Sequence, residues 1–593
     1  MKKFFSSLLG SFVGTWIAFL LFGIVIFISG MIMIASLSVS SFKTPKISIS
    51  NNSVLYLDLS GTITERPYNK TLQEYINNSN SSDNNLYDIL KAINNAAENN
   101  NVSGIVVHCG SASSGFATAT EIRDALLKFK KESGKWIYAY GESIDQYDYY
   151  IASVADSIFM NPVGMLDIHG LASGIPFFKG TLDKLGVEMQ VIRVGTYKSA
   201  VEPYMLTSMS DANRLQTQTY LNNLWKNICD GVSSSRKISV ATINEFADSL
   251  RTFDSAQTTV DNKFIDGLCY DHEFDSKIKN ELGIADDEDI NYVNVTNMAN
   301  SNPGKEGKTS NSIAVLYATG EISVSGNENA IYSEELVPII LDIAKDDDIK
   351  GLVLRVNSPG GSAYASEQIW EALEQFKKAG KPFAVSMGDY AASGGYYISC
   401  GAQQIFAEPT TITGSIGIFA VIPSFQGLMT DKLGITMDFV TTNKNSDISV
   451  VKPLSPAQRA AFQNYVNQGY ELFTSRCATG RKMDIDKLKS IAEGRVWDAT
   501  EAKKIGLVDQ FGNIDDAVEW VAQKAGISES YSIQTLPEYK EDFMNMLFIS
   551  MTDGYAEAKM KEQFGMLYST FKDINHLLQQ DKLQCRMEYI TIQ

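Results

Sequence analysis

The chain has 593 residues, too many for one hydrophobic core, and its 44% hydrophobic and 20% charged content is that of a globular protein. A formal net charge of −18 speaks against nucleic acid as a partner and against broad adhesion to anionic lipid, since both need basic surface. Six scattered cysteines without CxxC spacing and four histidines without HExxH rule out a zinc ribbon, a thioredoxin-like motif and a zincin, and give no disulfide framework.

Residues 1–11 carry Lys2 and Lys3, and behind them Phe12 to Leu37 reads FVGTWIAFLLFGIVIFISGMIMIASL without a charge. That run exceeds the roughly 20 residues needed to cross a bilayer. It is also longer than the roughly 7–15 residues of a signal-peptide core, so residues 12–37 are expected to be a retained transmembrane anchor. The two lysines place the N-terminus in the cytoplasm and the body on the outer side of the cell membrane.

Beyond the anchor the chain repeats itself. GIVVHCGSASSGFATATEIRDAL from Gly104 lies over GLVLRVNSPGGSAYASEQIWEAL from Gly351, at an offset of 247. The same offset carries Tyr150-Ile151 onto Tyr397-Ile398, and Phe159 and Pro162 onto Phe406 and Pro409. Residues 50–295 form one half and residues 312–535 the other. Residues 296–311, TNMANSNPGKEGKTSN, have linker composition. Each half opens on a strand-like run, VLYLDLSGTI from Val54 and IAVLYATGEI from Ile313. Short apolar β-branched runs then alternate with amphipathic helices around Glu121–Lys131 and Glu367–Lys378. That pattern predicts an α/β fold of repeated β-β-α units with parallel strands buried on both faces. Residues 536–593 are Met- and Phe-rich and read as an amphipathic helical tail of unassigned role.

The chemistry concentrates in the second half. VLRVNSPGGS runs from a buried strand into a Pro-Gly-Gly turn, and SMGDYAASGGYYISCGA takes another strand into a turn and helix with Ser393 at its start. A serine there is first of all a helix cap. The small neighbours Ala391, Ala392, Gly394 and Gly395 leave room for a substrate carbonyl, and the N–H groups of Gly360 and Gly394 are placed to converge on one oxyanion. A nucleophilic serine needs a base. In the first half Gln146 stands at the register of Ser393, and Ala112-Ser113-Ser114 at that of Pro359-Gly360-Gly361. That half keeps RVGTYKSAVEPYM, with Lys198, where the other half has Ser446, while Lys444 is the rival base within the second half. His108 beside Cys109 is no dyad, since strand neighbours point to opposite faces.

RVGTYKSAVEP, VNSPGGS, GDYAASGGYYIS, TGSIGIF and GRVWDATEAKKIGLVDQFG together resemble the signal peptide peptidase A (protease IV) family, peptidase S49, in its long duplicated bacterial form. The likeness runs from the anchor to about residue 530. It implies a tandem duplication of the ClpP/crotonase-like fold and a membrane-bound serine endopeptidase that degrades cleaved signal peptides through an acyl-enzyme. It also implies roles for particular residues: Ser393 as nucleophile, Lys198 as general base, Gly360 and Gly394 as oxyanion donors, and Ser415 orienting Lys198. No metal or cofactor is implied. The partners would be signal peptides and other extended hydrophobic peptides, membrane lipid at the anchor, and copies of the chain in a homotetramer. Two other readings stay open: a crotonase-type acyl-CoA enzyme, which shares the glycine-based oxyanion hole, and an inactive membrane scaffold.

Overall fold

The β-branched runs form two sheets of the same design. The computed structural model describes residues 48–67, 84–302, 309–326, 330–538 and 583–588, together with Thr15, Phe19, Phe22 and Gly23. The first sheet takes the order Gly267–Leu268, Ser157–Met160, Trp136–Gly141, Val102–Ser113, Ser53–Thr62, Tyr292–Asn294, all parallel. In the second the order is Gln510–Phe511, Gln404–Ala407, Phe383–Ala392, Ile349–Ser358, Ser312–Thr319, Ser532–Leu536, again parallel. Six strands in matching chain order occupy matching places, so the sequence repeat is a repeat of fold. The Phe383–Ala392 strand also pairs with Ile412–Gly414, which carries Val496–Asp498 antiparallel at its edge.

Ser312–Thr319 shows why these strands are apolar throughout: every residue but the last is buried. Leu316 joins the core under the helix Ala363–Lys378, and its neighbour Val315 joins the core under Ile514–Ala525 on the other face. Alternate side chains thus feed two layers, as a sheet covered on both sides requires. The first of these helices starts where Ser362 accepts a hydrogen bond from the N–H of Ala365 at 3.1 Å.

A third sheet crosses between the halves. Its order is Ile331–Tyr332, Ile322–Ser323, Gly360–Ser362, Gln584–Arg586, Phe419–Ser424, Glu188–Arg193. Glu188–Arg193, from the first half, pairs antiparallel with the whole of Phe419–Ser424, from Arg193 opposite Phe419 to Glu188 opposite Ser424.

Two expectations change. The supposed linker begins as a helix, Val295–Ser301, because Asn294 accepts from the N–H of Asn297 at 2.8 Å and Met298 and Ala299 are buried. The tail, read as helical, contributes instead a strand, Gln584–Arg586, whose backbone completes the ladder beside Gly360–Ser362. The rest of the tail lies outside the described residues. So does the expected anchor over 12–37, apart from Thr15, Phe19, Phe22 and Gly23, which are helical. Among the described residues no helix is long and apolar enough to cross a membrane.

Charge is buried where the halves meet. Arg355 is 1% exposed and donates through Nε to Glu65 Oε2 at 2.9 Å and through Nη2 to Glu121 Oε1 at 2.7 Å. Burial pushes the Glu121 carboxyl up to about 8, against the pull of Arg355. Nearby, Asp389 of the second half accepts from the N–H of Thr118 at 2.9 Å and from its hydroxyl at 2.8 Å. It thereby caps the first-half helix Phe116–Ser133, whose own N-cap is a glycine. Removing the arginine from this buried cluster leaves Glu65 and Glu121 without their donor in a low dielectric, at a cost of about 3–5 kcal/mol. Arg355→Met should therefore lower the unfolding free energy by about that much, read as a lower urea midpoint at unchanged slope. An unchanged midpoint would show that the arginine does not brace the junction.

Candidate active site

Ser393 ends the buried strand Phe383–Ala392 and begins the helix Gly394–Ser399. It sits at φ +55°, a strained conformation for a residue with a side chain, fixed by its N–H donating to the Gly414 carbonyl at 2.7 Å. The two glycines after it are steric necessities. A Cβ on Gly395 would come within 2.7 Å of the Ser358 carbonyl, and one on Gly394 within 2.8 Å of Ser366 Oγ.

Lys198 comes to this serine from the other half. The strand Glu188–Arg193 docks on Phe419–Ser424, the chain turns at Gly195 with φ +99°, and Tyr197 donates its N–H to the Glu493 carbonyl at 3.0 Å. Arg193 then holds the Lys198 carbonyl at 3.0 Å. Lys198 Nζ lies 2.8 Å from Ser393 Oγ, 3.0 Å from Ser415 Oγ and 3.2 Å from the Ser415 carbonyl oxygen. The lysine is 1% exposed, Ser393 0% and Ser415 1%. Loss of hydration pushes the Lys198 amine down to about 7.

The Gly360 N–H donates to Ser358 Oγ at 3.1 Å in this state. At φ +103°, Gly360 brings its backbone against Gly394: a Cβ there would fall 2.7 Å from the Gly394 nitrogen. The five residues singled out in the sequence thus lie together around Ser393. Lys444 is exposed, out in a loop. His108 bonds Asp58 at 3.1 Å and His169 bonds Asp167 at 3.0 Å, while His272 is exposed on its helix and His576 lies outside the described residues. All six cysteines are buried and free.

Sequence reasoning passed over the residues that shape the lysine's slot. Gly494, at φ +77°, leaves the Lys198 main chain room: a Cβ there would be 2.6 Å from Lys198 Cβ. Gly417 does the same for the stem, with 3.2 Å to Cδ. Gly494 stands inside the GRVWDATEAKKIGLVDQFG stretch, so a signal existed, but nothing in the residue type says which side chain it makes room for. The tail residues Cys585 and Glu588 were missed altogether. Glu588 Oε2 accepts from the Ser199 hydroxyl, next to Lys198.

Comparison with known proteins places the chain in a family. The model of peptidase family S49 matches residues 129–284 and 375–528, together about half the chain, and a Clp protease model matches residues 304–412. Protease 4 of Salmonella typhi is 36% identical over 527 residues, covering 86% of this chain and 84% of its own length. The chain belongs to peptidase family S49. It is a serine protease of the long, duplicated form. Protease 4 of Haemophilus influenzae is 31% identical over 88% of both chains. A chloroplastic serine protease SPPA of Arabidopsis thaliana is 30% identical, across 73% of this chain and 64% of that one.

Gly494→Ala tests how the S49 slot positions its lysine. The added methyl needs Lys198 to move, and its φ costs about 1–3 kcal/mol in strain. Labelling of the chain by a fluorophosphonate should slow by roughly tenfold or more, one factor of ten per 1.4 kcal/mol lost at the site. Labelling at the unaltered rate would show that the slot has slack.

Proposed function

We propose that the chain hydrolyses cleaved signal peptides and other extended hydrophobic peptides, with Ser393 as nucleophile and Lys198 as general base. The observation that carries this is the 2.8 Å approach of Lys198 Nζ to Ser393 Oγ in a site closed to water. A neutral amine has two N–H donors and one lone pair. Ser415 offers two acceptors, its hydroxyl and its carbonyl, so both donors are occupied and the lone pair is left for the Ser393 hydroxyl.

In the proposed reaction Ser393 Oγ attacks the substrate carbonyl carbon as its proton passes to Nζ. The N–H groups of Gly360 and Gly394 receive the oxyanion, Gly360 giving up its bond to Ser358. The C–N bond breaks as the Lys198 ammonium returns the proton to the leaving amine. Water, deprotonated by the same amine, then hydrolyses the ester on Ser393. The reading also includes an anchor over residues 12–37 in a bacterial inner membrane, with the body on the periplasmic side, and a tetramer enclosing its active sites. The anchor and its orientation rest on the uncharged apolar run and on Lys2 and Lys3, and the tetramer on the family resemblance. External protease acting on cells with an intact inner membrane should digest the body, and light scattering in detergent should give four chains per particle.

Ser393→Ala and Lys198→Ala should each abolish turnover of a quenched hydrophobic peptide while leaving the chain folded. Their losses should not add, because nucleophile and base act as one unit. The pH profile follows from the burial of the amine. Below about 7 Lys198 is protonated and cannot accept the serine proton. The rate should climb about tenfold per pH unit toward that value and level off above it. Because an imidazole would titrate nearby, at about 6.5, each of the four histidines is replaced by Gln as a control. All four variants should keep the acid limb, and loss of the limb with any of them would transfer the base role from Lys198 to that histidine.

A further inference from the structure

The main chain on either side of Lys198 is gripped by a side chain that the proposed reaction has not used. Gln216 lies near the start of the helix Asp211–Arg236 and is 1% exposed. Both ends of its amide are occupied. Nε2 donates to Ser199 Oγ at 2.9 Å and to Asn213 Oδ1 at 3.0 Å, with the Tyr197 carbonyl at 3.3 Å. Oε1 accepts from the Val496 N–H at 3.0 Å. The partners settle which way the amide points, because the Val496 N–H can only donate and the Tyr197 carbonyl can only accept.

These partners bracket the lysine from both halves. Tyr197 and Ser199 are its neighbours in the chain. Val496 ends a run of four second-half residues that build the slot. The Glu493 carbonyl takes the Tyr197 N–H at 3.0 Å, and Gly494 makes room for Lys198 Cβ. The Arg495 carbonyl takes the Ser415 N–H at 2.7 Å, and Val496 stands opposite Gly414. Ser415 in turn meets Lys198 Nζ, and the Gly414 carbonyl holds the Ser393 N–H. One amide thus ties the lysine's own main chain to the strand that sets both of its partners.

The helix behind the glutamine is docked without it. Tyr220, Leu221 and Leu224 share a core with Ala392, Ile412 and Val496. Asn223, two turns on, donates to Asp498 Oδ2 at 2.8 Å. Asn213, which holds the flank of the amide, donates to Glu202 Oε2 at 3.2 Å. Apolar packing suffices to seat such a helix. A buried amide is costly unless each of its groups is paired, and full pairing allows one geometry only, so what Gln216 adds is register.

We propose that Gln216 is a positioning residue for the proteolytic reaction: it fixes the Tyr197–Ser199 main chain against Val496 so that Lys198 Nζ meets Ser393 and Ser415 together. The proposal rests on the Ser–Lys reading above. Gln216 acts through Lys198, since none of its four partners is a reacting atom. Main-chain drift at Lys198 is carried along the side chain to Nζ, and a misplacement of about 1 Å there can cost up to about a hundredfold in rate.

The test is turnover of a quenched hydrophobic peptide by the full chain in detergent, with kcat, KM and the pH profile measured per folded molecule. Gln216→Met keeps the bulk and removes every hydrogen bond. Its kcat should fall roughly tenfold or more at unchanged KM. Its acid limb should also move up from about 7 by roughly half a unit or more, because a loosened amine regains water and holds its proton more firmly. Gln216→Glu keeps the acceptor for Val496 and loses the amide donors. Its limb should move up as well, since a carboxylate near Lys198 favours the ammonium. Asn223→Ala loosens the same helix away from the lysine, so it should lower the melting temperature and leave kcat and the limb as in the wild type. Wild-type kcat and limb in either Gln216 variant would show that the residue only helps seat its helix, and a rise in KM alone would make it a substrate contact; both overturn the proposal. Lys198→Ala is run in parallel. If that variant is inactive while the Gln216 variants behave as wild type, the Ser–Lys reading stands without the proposal, and if it turns over the peptide, both fall.

Discussion

Lys198 reaches Ser393 only because the strand before it is paired, residue for residue, with a strand of the other half. Glu188–Arg193 on Phe419–Ser424 fixes the direction of the chain, and the Gly195 turn and Glu493 carbonyl fix its last few residues. An isolated first half would have no Phe419–Ser424 strand, no Ser415 and no Gly494 to define the slot. The depressed basicity of the amine depends on the same pairing. Burial is the largest influence on it, and that burial is made by second-half backbone packed around a first-half side chain. A buried amine of this kind is a property of the junction, not of either half.

The junction must then be held in register to within a fraction of a hydrogen-bond length. Two buried contacts help do this. Asp389 takes the N-terminal N–H groups of the Phe116–Ser133 helix, and it lies on the strand that ends in Ser393. Arg355, one strand over, forks to Glu65 and Glu121 of the first half. Ion pairs this deep are weak sources of net stability, because desolvation offsets most of their attraction. They are strong sources of specificity, since any slippage between the halves would strand a buried charge.

Much of this was legible in the sequence, for identifiable reasons. Parallel strands buried on both faces leave continuous apolar runs, so Ser312–Thr319 and Ile349–Ser358 announce themselves. Ser393 and Gly360 were visible because strained turns demand small residues, and such clusters are rare. What was hidden depends on contacts distant in sequence. Nothing about Gly494 alone points to Lys198, almost three hundred residues away. Nothing about Asp389 in its strand points to the helix from the other half that it caps. The Gln584–Arg586 strand is the clearest case. Nothing in its composition sets it apart from the rest of the tail, and it is extended because Gly360–Ser362 offers an edge to pair with. Local propensity is weak beside such a template.

The first half builds the corresponding turn differently. Gly395 of the second half has its repeat counterpart in Asp148. In the second half the glycine lets the Ser358 carbonyl approach; in the first, the Asp148 carboxylate accepts from the N–H of Ser111 at 2.8 Å and of Ala112 at 3.3 Å. Those two residues stand at the repeat positions of Ser358 and Pro359, the entry to the glycine turn. The first half has therefore closed its own turn with an internal acceptor. Burial and the neighbouring Asp145 push the Asp148 carboxyl up to about 8, so the closure leaves an awkward carboxyl in the interior. An awkward group of this kind is tolerable where no substrate has to enter. The first half presents Lys198 to Ser393, and the second keeps its turn lined by Gly360 and Gly361. Each half's loss fits the other's retention, which is why neither can be read as a complete site alone.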